Sequence, residues 1–243
     1  MIPNMTNSVL HKSNTRGHAD HGWLNAHHTF SFANYYNPDR IHFGALRVLN
    51  DDVIAGGMGF GTHPHDNMEI ITIPLEGDLA HKDSMGNSEV IHAGEIQVMS
   101  AGSGITHSEY NSNPDRAVSL LQIWVFPNKR NVTPRYDQKR FTESERKNKL
   151  QQVVSPDTSK EGLWIHQDAW FFLGKFDNGI QTEHAMKRNS NGAYFFIIQG
   201  KAEINGQTLE KRDGFGVWNC NKVKITSLED NTEILLMDVP MIF

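Results

Sequence analysis

The chain has 243 residues, enough for two small domains or one large domain, and it carries a net charge of −5 at pH 7. This charge excludes a nucleic-acid binder that relies on Lys and Arg to neutralise phosphates, and the longest apolar runs are too short to span a bilayer. The single cysteine, Cys220, excludes an internal disulfide and, together with the lack of an apolar leader after Met1, predicts a cytoplasmic protein.

Short runs rich in Ile, Val, Phe and Thr, separated by Gly and Asn-Gly turns, recur along most of the chain. This pattern predicts many short β-strands, and sustained helical periodicity is scarce. The clearest strands in the first half are predicted at 43–49, 69–75, 95–99 and 120–126. The chain is therefore predicted to be all-β.

The segment from Pro127 to Gln151 departs from this pattern. It has eight Lys or Arg against three Asp or Glu and almost no large apolar residues. We interpret it as a solvated, partly helical connector between two domains. The alternative is a basic patch that binds an acidic partner.

A faint internal repeat indicates two domains of one kind. Residues 75–98 and 198–217 both run strand, turn, strand, Gly and strand. Antiparallel strands joined by tight turns must protect their edges, which favours two small jelly-roll barrels. We therefore predict an N-terminal barrel at 1–135, a linker at 136–150 and a C-terminal barrel at 151–243.

Two histidine-containing stretches in the first half carry the predicted chemistry. The first reads Gly-Phe-Gly-Thr-His63-Pro-His65, and the second reads Gly-Ile-Thr-His107-Ser-Glu109. Because residues i and i+2 of a strand share a face, each stretch presents a chelating pair, and two neighbouring strands can bring four ligands to one ion. Three imidazoles and a carboxylate suit a divalent Fe, Ni, Cu, Mn or Zn ion rather than Ca²⁺ or Mg²⁺.

These stretches resemble the two motifs of the cupin superfamily. The first motif matches, apart from a later glycine displaced by one residue, at Gly57, His63, His65 and Glu69. The second is met more loosely, with a serine in place of its proline and the histidine two residues late, at Gly94, Gly102, His107 and Asn111.

That departure points to the pirin family, which the chain resembles over nearly its whole length. Further stretches that carry the resemblance are His21-Gly-Trp-Leu24, His28-Thr-Phe-Ser-Phe-Ala-Asn34, Leu46-Arg-Val48, Asp83-Ser-Met-Gly-Asn87 and His107-Ser-Glu-Tyr110. The resemblance implies a bicupin of two jelly-roll barrels in which only the N-terminal barrel keeps one divalent transition metal. Iron is ranked first among the metals.

Spacing leaves the fourth ligand open between Glu69 and Glu109. Glu69 shares strand parity with His65 and is the carboxylate that most cupins would use. Pirins instead take the carboxylate from the second motif. The resemblance therefore implies the ligand set His63, His65, His107 and Glu109, with Glu69 as a group that orients a ligand histidine.

The corresponding stretches of the second half, 182–184 and 218–220, offer a single histidine, His184, which cannot hold the metal alone. Near the N-terminus, His27 and His28 point to opposite faces of an extended segment and are predicted to be structural or pocket-wall residues. Nearby aromatic residues are predicted to be core residues or, alternatively, the roof of an aromatic-binding pocket: Trp23, Phe30, Phe32 and Tyr35.

The resemblance to quercetinase-like bacterial pirins implies a metal-dependent dioxygenase, similar to quercetin 2,3-dioxygenase. Such an enzyme opens a flavonol ring with O₂ and releases carbon monoxide, with Glu109 as the candidate base for the substrate hydroxyl. The implied partners are a small flavonol-like aromatic substrate and O₂, and the implied assembly is a monomer or weak oligomer. The alternative is a metal-binding regulatory or adaptor protein of the pirin type without turnover.

Overall fold

The computed structural model of the chain describes residues 6–158 and 162–243. Its regular structure is almost entirely β, as predicted, with short 3₁₀ helices at Ser13–Thr15 and Glu143–Arg146. The strands of the first half are β1 (Asn7–His11), β2 (Gly17–Asp20), β3 (Leu24–His28), β4 (Leu46–Ile54), β5 (Gly59–His65), β6 (Glu69–Glu76), β7 (Asp78–Asp83), β8 (Ser88–His92), β9 (Glu95–Ser100), β10 (Ile105–Asn111), β11 (Val118–Val125) and β12 (Arg135–Arg140). The strands of the second half are β13 (Leu150–Ser155), β14 (Leu163–Trp164), β15 (Trp170–Phe176), β16 (Gln181–Ala185), β17 (Asn191–Gln199), β18 (Lys201–Ile204), β19 (Gln207–Glu210), β20 (Gly214–Trp218), β21 (Lys222–Ser227) and β22 (Thr232–Pro240). In the two described ranges, no helix has the length and apolar character needed to cross a membrane.

The strands form two barrels, and each barrel combines a seven-stranded sheet with a four-stranded sheet. In the N-terminal barrel the large sheet has the order β12-β9-β6-β11-β4-β3-β2, and the small sheet has the order β5-β10-β7-β8. In the C-terminal barrel the orders are β1-β20-β17-β22-β15-β13-β14 and β16-β21-β18-β19. The prediction of two jelly-roll barrels is confirmed.

The two large sheets pack against each other and form one shared apolar core. Ile71 and Ile123 of the first barrel belong to this core together with Phe171, Leu235 and Met237 of the second, and all five are fully buried. Burial of a side chain of this size contributes roughly 1.5–3 kcal/mol. The interface is thus a hydrophobic core in its own right, and it fixes the barrels relative to each other.

The barrel interiors differ in chemistry. The C-terminal barrel is filled by a separate cluster of buried apolar side chains that includes Phe172, Phe195 and Phe215. The N-terminal barrel has smaller apolar clusters, around Leu79 and around Ile70, and it buries several polar side chains of its small sheet. Space for a polar site therefore exists in the first barrel, whereas apolar packing occupies the second.

The structure of residues 136–150 differs from the linker that the sequence predicts for them. Residues Arg135–Arg140 form β12, which pairs antiparallel with β9 at the edge of the large N-terminal sheet. Phe141 is buried in the shared core, and a 3₁₀ turn follows at Glu143–Arg146. Charged residues suit an edge strand because backbone hydrogen bonds do not require apolar side chains, and Lys and Arg discourage pairing with another chain.

The first strand also crosses the predicted boundary. Residues Asn7–His11 pair with β20 in the large C-terminal sheet, so the start of the chain lies with the second barrel. A buried hydrogen bond between His11 Nδ1 and Tyr194 Oη, 2.8 Å long, fastens it there. The alternation of apolar residues that predicts a strand carries no information about which sheet the strand joins.

Candidate metal centre

The predicted histidines and glutamate lie on two adjacent strands of the small N-terminal sheet. His63 and His65 lie on β5, and His107 and Glu109 lie on β10. The strands are antiparallel, with His107 directly opposite His63. A bulge after His107 shifts the register, so that Glu109 lies opposite Phe60. Strand alternation thus directs all three imidazoles to one face of the sheet.

The three histidine rings are in mutual contact. The ring centroids are 4.4 Å apart for His63 and His107, and 4.9 Å apart for each pair that includes His65. One ring nitrogen from each residue lies within 4.8 Å of the corresponding atoms of the other two. Three imidazoles at this separation can bind one cation in common.

The backbone determines which nitrogen of His63 is free. His63 Nδ1 is 2.8 Å from the carbonyl oxygen of Gly61. A carbonyl oxygen only accepts, so Nδ1 carries the hydrogen and donates it, and in the neutral ring Nε2 keeps its lone pair. An imidazole held in this tautomer is ready to act as a ligand through Nε2.

A fourth histidine, His81 on β7, orients His107 and was not predicted from the sequence. His81 Nε2 is 3.2 Å from Asp83 Oδ2, and His81 Nδ1 is 3.5 Å from His107 Nδ1. The Asp83 carboxylate accepts from Nε2, so Nδ1 of neutral His81 is left to accept from His107. His107 Nε2 then keeps a free lone pair; it is buried and has no hydrogen-bond partner among the described residues. The sequence signal was weak, because His81 belongs to no motif and reaches the centre only through the pairing of β7 with β10.

Glu109 is 2% exposed and has one free oxygen. Its Oε2 accepts a hydrogen bond of 2.7 Å from Gln122 Nε2, whereas Oε1 is buried without a partner in the described ranges. Burial raises the pKa of Glu109 above its ordinary value. Its carboxylate oxygen groups with ring nitrogens of His107 and His81 within 4.8 Å, rather than with those of His63 and His65. Glu109 therefore joins the cluster at the His107 side.

Burial keeps two of the histidines neutral. Burial, together with the neighbouring His63, lowers the pKa of His107 to about 2 and that of His65 to about 4. A histidine whose pKa lies well below 7 is uncharged at neutral pH, and only the uncharged ring donates a lone pair to a metal.

A pocket of about 430 Å³ opens beside this cluster, between the two sheets of the N-terminal barrel. Its aromatic walls are Trp23, Phe32, Phe60 and Trp124, and its polar groups include Asn50, Asp52 and Gln122. Trp23 and Phe32 thus take the predicted role of pocket residues, whereas Phe30 is a core residue. Burial, aided by the nearby Asp51 and Glu109 carboxylates, raises the pKa of Asp52 to about 8. Asp52 and Gln122 were not predicted from the sequence.

Glu69 lies away from the histidine cluster. Its Oε2 accepts a hydrogen bond of 2.7 Å from Ser100, and the backbone N–H of His166 in the second half also donates to it. Ser100 lies on β9 of the large sheet, and His166 belongs to the second half of the chain. Glu69 has no hydrogen bond to His63, His65 or His107 in the described part of the chain. The prediction that Glu69 orients a ligand histidine is therefore wrong.

The other histidines considered in the sequence analysis have structural partners. In the second half, His184 Nε2 is 2.7 Å from Asp238 Oδ2, and no cluster of three metal-ligating side chains occurs in the described residues of that half. Near the N-terminus, His28 Nδ1 is 2.9 Å from Asn50 Oδ1, and His27 stacks on His18 with ring centroids 4.7 Å apart. His28 thereby supports Asn50, which lines the pocket.

Two family models match the chain: one described as Pirin matches residues 9–125, and one described as the quercetinase C-terminal cupin domain matches residues 152–239. The fold and these matches define a bicupin whose polar centre lies in the first barrel. More narrowly, the chain belongs to the pirin family.

Full-length relatives agree with this assignment. A quercetin 2,3-dioxygenase of Escherichia coli strain K12 is 46% identical over 231 residues, which cover 95% of this chain and 98% of the relative. A pirin-like protein of Caulobacter vibrioides is 42% identical over 91% of this chain and 95% of its own length. Among solved structures, the bacterial pirin YhhW from Escherichia coli in complex with nickel(II) superposes with a TM-score of 0.91 at 44% identity, covering 96% of this chain and 99% of that protein.

Proposed function

We propose that the chain is a metal-dependent dioxygenase that opens the ring of a flavonol with O₂ and releases carbon monoxide. The proposed ligands of the single divalent metal ion are His63, His65, His107 and Glu109. The observation that carries the proposal is a pair of buried atoms, His107 Nε2 and Glu109 Oε1, which have no hydrogen-bond partner among residues 6–158 and 162–243 and lie beside a pocket with aromatic walls.

The free atoms fit a cation. A buried polar atom without a partner costs about 1–3 kcal/mol, so two such atoms in one cluster are unfavourable unless a ligand satisfies them. His63 Nε2 adds a third free lone pair, because Gly61 holds its Nδ1–H. The donor set of imidazole nitrogens and one carboxylate suits Fe, Ni, Cu, Mn or Zn. The nickel(II) complex of the related YhhW supports nickel, alongside iron, as a candidate for this chain.

The residues of the pocket suit a flat, hydroxylated aromatic substrate. Trp23, Phe60 and Trp124 offer ring faces and edges for stacking, and Trp124 is itself 4.9 Å from His65 between ring centroids. Asn50 and Asp52 offer hydrogen-bonding atoms to substrate hydroxyls. A volume of about 430 Å³ lies within the range of pockets that bind small organic molecules.

Within this pocket Glu109 is the proposed base. The hydrogen bond from Gln122 holds Oε2, so Oε1 is the atom of Glu109 that either ligates the ion or, when it is not bound to the ion, accepts the proton of the flavonol hydroxyl. Burial raises the pKa of Glu109, which makes its carboxylate a better proton acceptor. A divalent ion bound at the centre supplies Lewis-acid polarisation of a substrate oxygen.

The decisive experiment measures the metal content of the purified protein and then its oxygen consumption. Protein reconstituted separately with iron, nickel, copper, manganese or zinc is mixed with quercetin, and O₂ uptake and carbon monoxide release are recorded. Equal amounts of both gases with at least one metal are expected. Stoichiometric metal without O₂ uptake for any metal would refute the dioxygenase and leave a metal-binding protein without turnover.

The variant Glu109→Gln tests the proposed base within the same assay. Loss of a general base lowers the rate by about 10²–10⁴-fold, so kcat should fall by that factor while the variant stays folded. Glu89→Gln, which changes an exposed carboxyl on β8 of the same sheet, is the matched control and should keep the wild-type rate. A Glu109→Gln variant with the wild-type rate would contradict the assignment.

A further inference from the structure

A second cavity lies at the junction of the two barrels and shares no lining residue with the pocket at the metal centre. Its volume is about 280 Å³. We call it the interdomain cavity and define it by five lining residues that come from both barrels and the segment between them: Ile96, Arg146, Leu173, Lys211 and Arg212.

Arg212 reaches this cavity from the turn between β19 and β20. Its backbone lies in the left-handed region, with φ at +67°, and its amide donates to the carbonyl of Ile197 at 2.6 Å. This unusual backbone conformation directs the guanidinium towards the N-terminal barrel, where Nε lies 3.4 Å from Asp51 Oδ2. The other end of the guanidinium is not satisfied: Nη1 is buried and has no hydrogen-bond partner within the described ranges.

The buried charges around Arg212 do not balance. Asp51 also forms an ion pair with Arg16, whose Nη1 is 3.1 Å from the same Oδ2 atom. The Arg16 and Asp51 side chains are only 5% and 8% exposed, and that of Arg212 is 20% exposed. Two guanidinium groups therefore share one carboxylate in a poorly solvated place. A buried charge without a full partner is unfavourable, so this arrangement favours a further anion.

The acids in the cavity wall balance this charge only in part. Glu233 interacts electrostatically with Arg212, but it also pairs with a lysine, Lys175, whose Nζ lies 3.4 Å away. Glu95 Oε2 accepts a hydrogen bond from the backbone N–H of His92. Glu76 is exposed to solvent. Arg146 and Lys211 add two more cationic side chains to the wall, so an anion that enters the cavity meets more than one positive group.

The rest of the wall is apolar. Ile96 and Leu173 line the cavity from opposite barrels, and Phe141 lines it from the segment that joins them; all three are buried members of the shared core. We propose that the interdomain cavity binds a small organic carboxylate, with its carboxylate beside the cationic side chains of Arg212 and Arg146 and its apolar body against Ile96, Phe141 and Leu173. The bidentate geometry of a guanidinium matches a carboxylate group.

Isothermal titration of the metal-loaded protein with benzoate tests this proposal, with benzamide and inorganic phosphate titrated in parallel. Benzoate should bind at one site with a Kd on the order of 1 mM or tighter, as expected for a ligand of this size. Benzamide, which lacks the charge, and phosphate, which lacks the apolar body, should bind at least about tenfold more weakly. Equal binding of benzamide, or binding of phosphate in preference to benzoate, would overturn the chemistry proposed.

Variants locate the site. Arg212→Gln should weaken benzoate binding by about tenfold or more, and Arg146→Gln, which removes a second cationic side chain of the wall, should weaken it by a smaller factor. Because Arg212→Gln leaves Arg16 and Asp51 as a balanced pair, its melting temperature without benzoate should not fall below that of the wild type. Arg116→Gln, an exposed arginine elsewhere, should bind like the wild type.

The metal centre provides a second reference, because an aromatic carboxylate can also bind to a metal ion. His65→Ala should keep the wild-type benzoate affinity. Loss of binding in His65→Ala with full binding in Arg212→Gln would place benzoate at the metal centre and overturn the proposal. Full binding in both Arg212→Gln and Arg146→Gln would overturn it as well.

Discussion

Glu69 is a buried carboxyl at the interface of the two barrels. Replacing it by Gln removes the ionisable group and keeps its size, so the variant measures the effect of burying the charge separately from any role in binding metal. Burial raises the pKa of Glu69 from the reference value of 4.5 to about 7, and the hydrogen bonds from Ser100 and the His166 amide only partly oppose this effect. Protonated Glu69 and a glutamine at this position are nearly isosteric. Glu69→Gln should therefore resemble the acid form of the wild type at every pH.

The size of the effect follows from the pKa. Because the folded-state value lies above the unfolded value, the folded chain binds the extra proton between about pH 4.5 and pH 7, and stability falls as pH rises through that window. One pKa unit corresponds to about 1.4 kcal/mol. Between about pH 5 and pH 8 the wild type should therefore lose roughly 2.5 kcal/mol relative to Glu69→Gln, and the loss should level off above the folded-state value.

Urea unfolding of both proteins in the metal-free form, at several pH values across this window, measures the difference directly. Contributions from all other titrating groups cancel in the comparison, and Glu89→Gln on the exposed face of β8 provides the matched control. A difference between wild type and Glu69→Gln that does not change with pH would refute the reasoning. Loss of metal from Glu69→Gln would make Glu69, the alternative to Glu109, a candidate for the fourth ligand.

Three further predictions concern the centre and the interface. His107→Ala should lose most of the bound metal, measured by elemental analysis, because His107 joins both groups of ligand atoms. The wild type should keep most of its nickel at about pH 5, below the ordinary histidine pKa of about 6.5, because burial lowers the pKa of His65 and His107; early release at about pH 6 would contradict this. In urea unfolding at about pH 7, Asp51→Asn should lower the free energy of unfolding by about 3–5 kcal/mol, because it leaves two buried arginines without their shared carboxylate. Asp52→Asn should lower it by less than about 1 kcal/mol, because the raised pKa of Asp52 keeps that carboxyl neutral. Equal losses in the two variants would contradict that contrast.

The part of the centre that could be predicted from the sequence is the part that depends on strand alternation alone. The spacing of His63 and His65 predicts that they share a face, whatever sheet the strand joins. The spacing of His107 and Glu109 predicts the same for that pair. Their convergence needed only that β5 and β10 be neighbours, which the chain satisfies with His63 opposite His107. The all-β class follows equally from local patterns of turns and apolar runs.

The strand parity that groups Glu69 with His65 in the sequence does not hold in the structure, for a physical reason. Counting by twos from His65 to Glu69 assumes one continuous strand, but β5 ends at His65 and β6 begins at Glu69. The two strands belong to different sheets of the barrel, so parity across the intervening turn has no meaning. His81 was missed for the complementary reason, because its role depends on the pairing of β7 with β10, which no local pattern encodes.

The same alternation explains how one sheet can carry a pocket and an interface together. On β4, Asn50 and Asp52 line the pocket, and Asp51 between them faces Arg16 and Arg212 on the side of the second barrel. A single-residue step therefore separates groups that line the pocket from groups that join the barrels. Since a slip of the register by one residue would exchange these faces, the buried charges at Asp51 and the polar pocket at Asp52 together specify one register for β4. The second barrel then holds this sheet of the first barrel in place. This structural role explains why a bicupin keeps a barrel whose interior is filled by Phe172, Phe195 and their apolar neighbours.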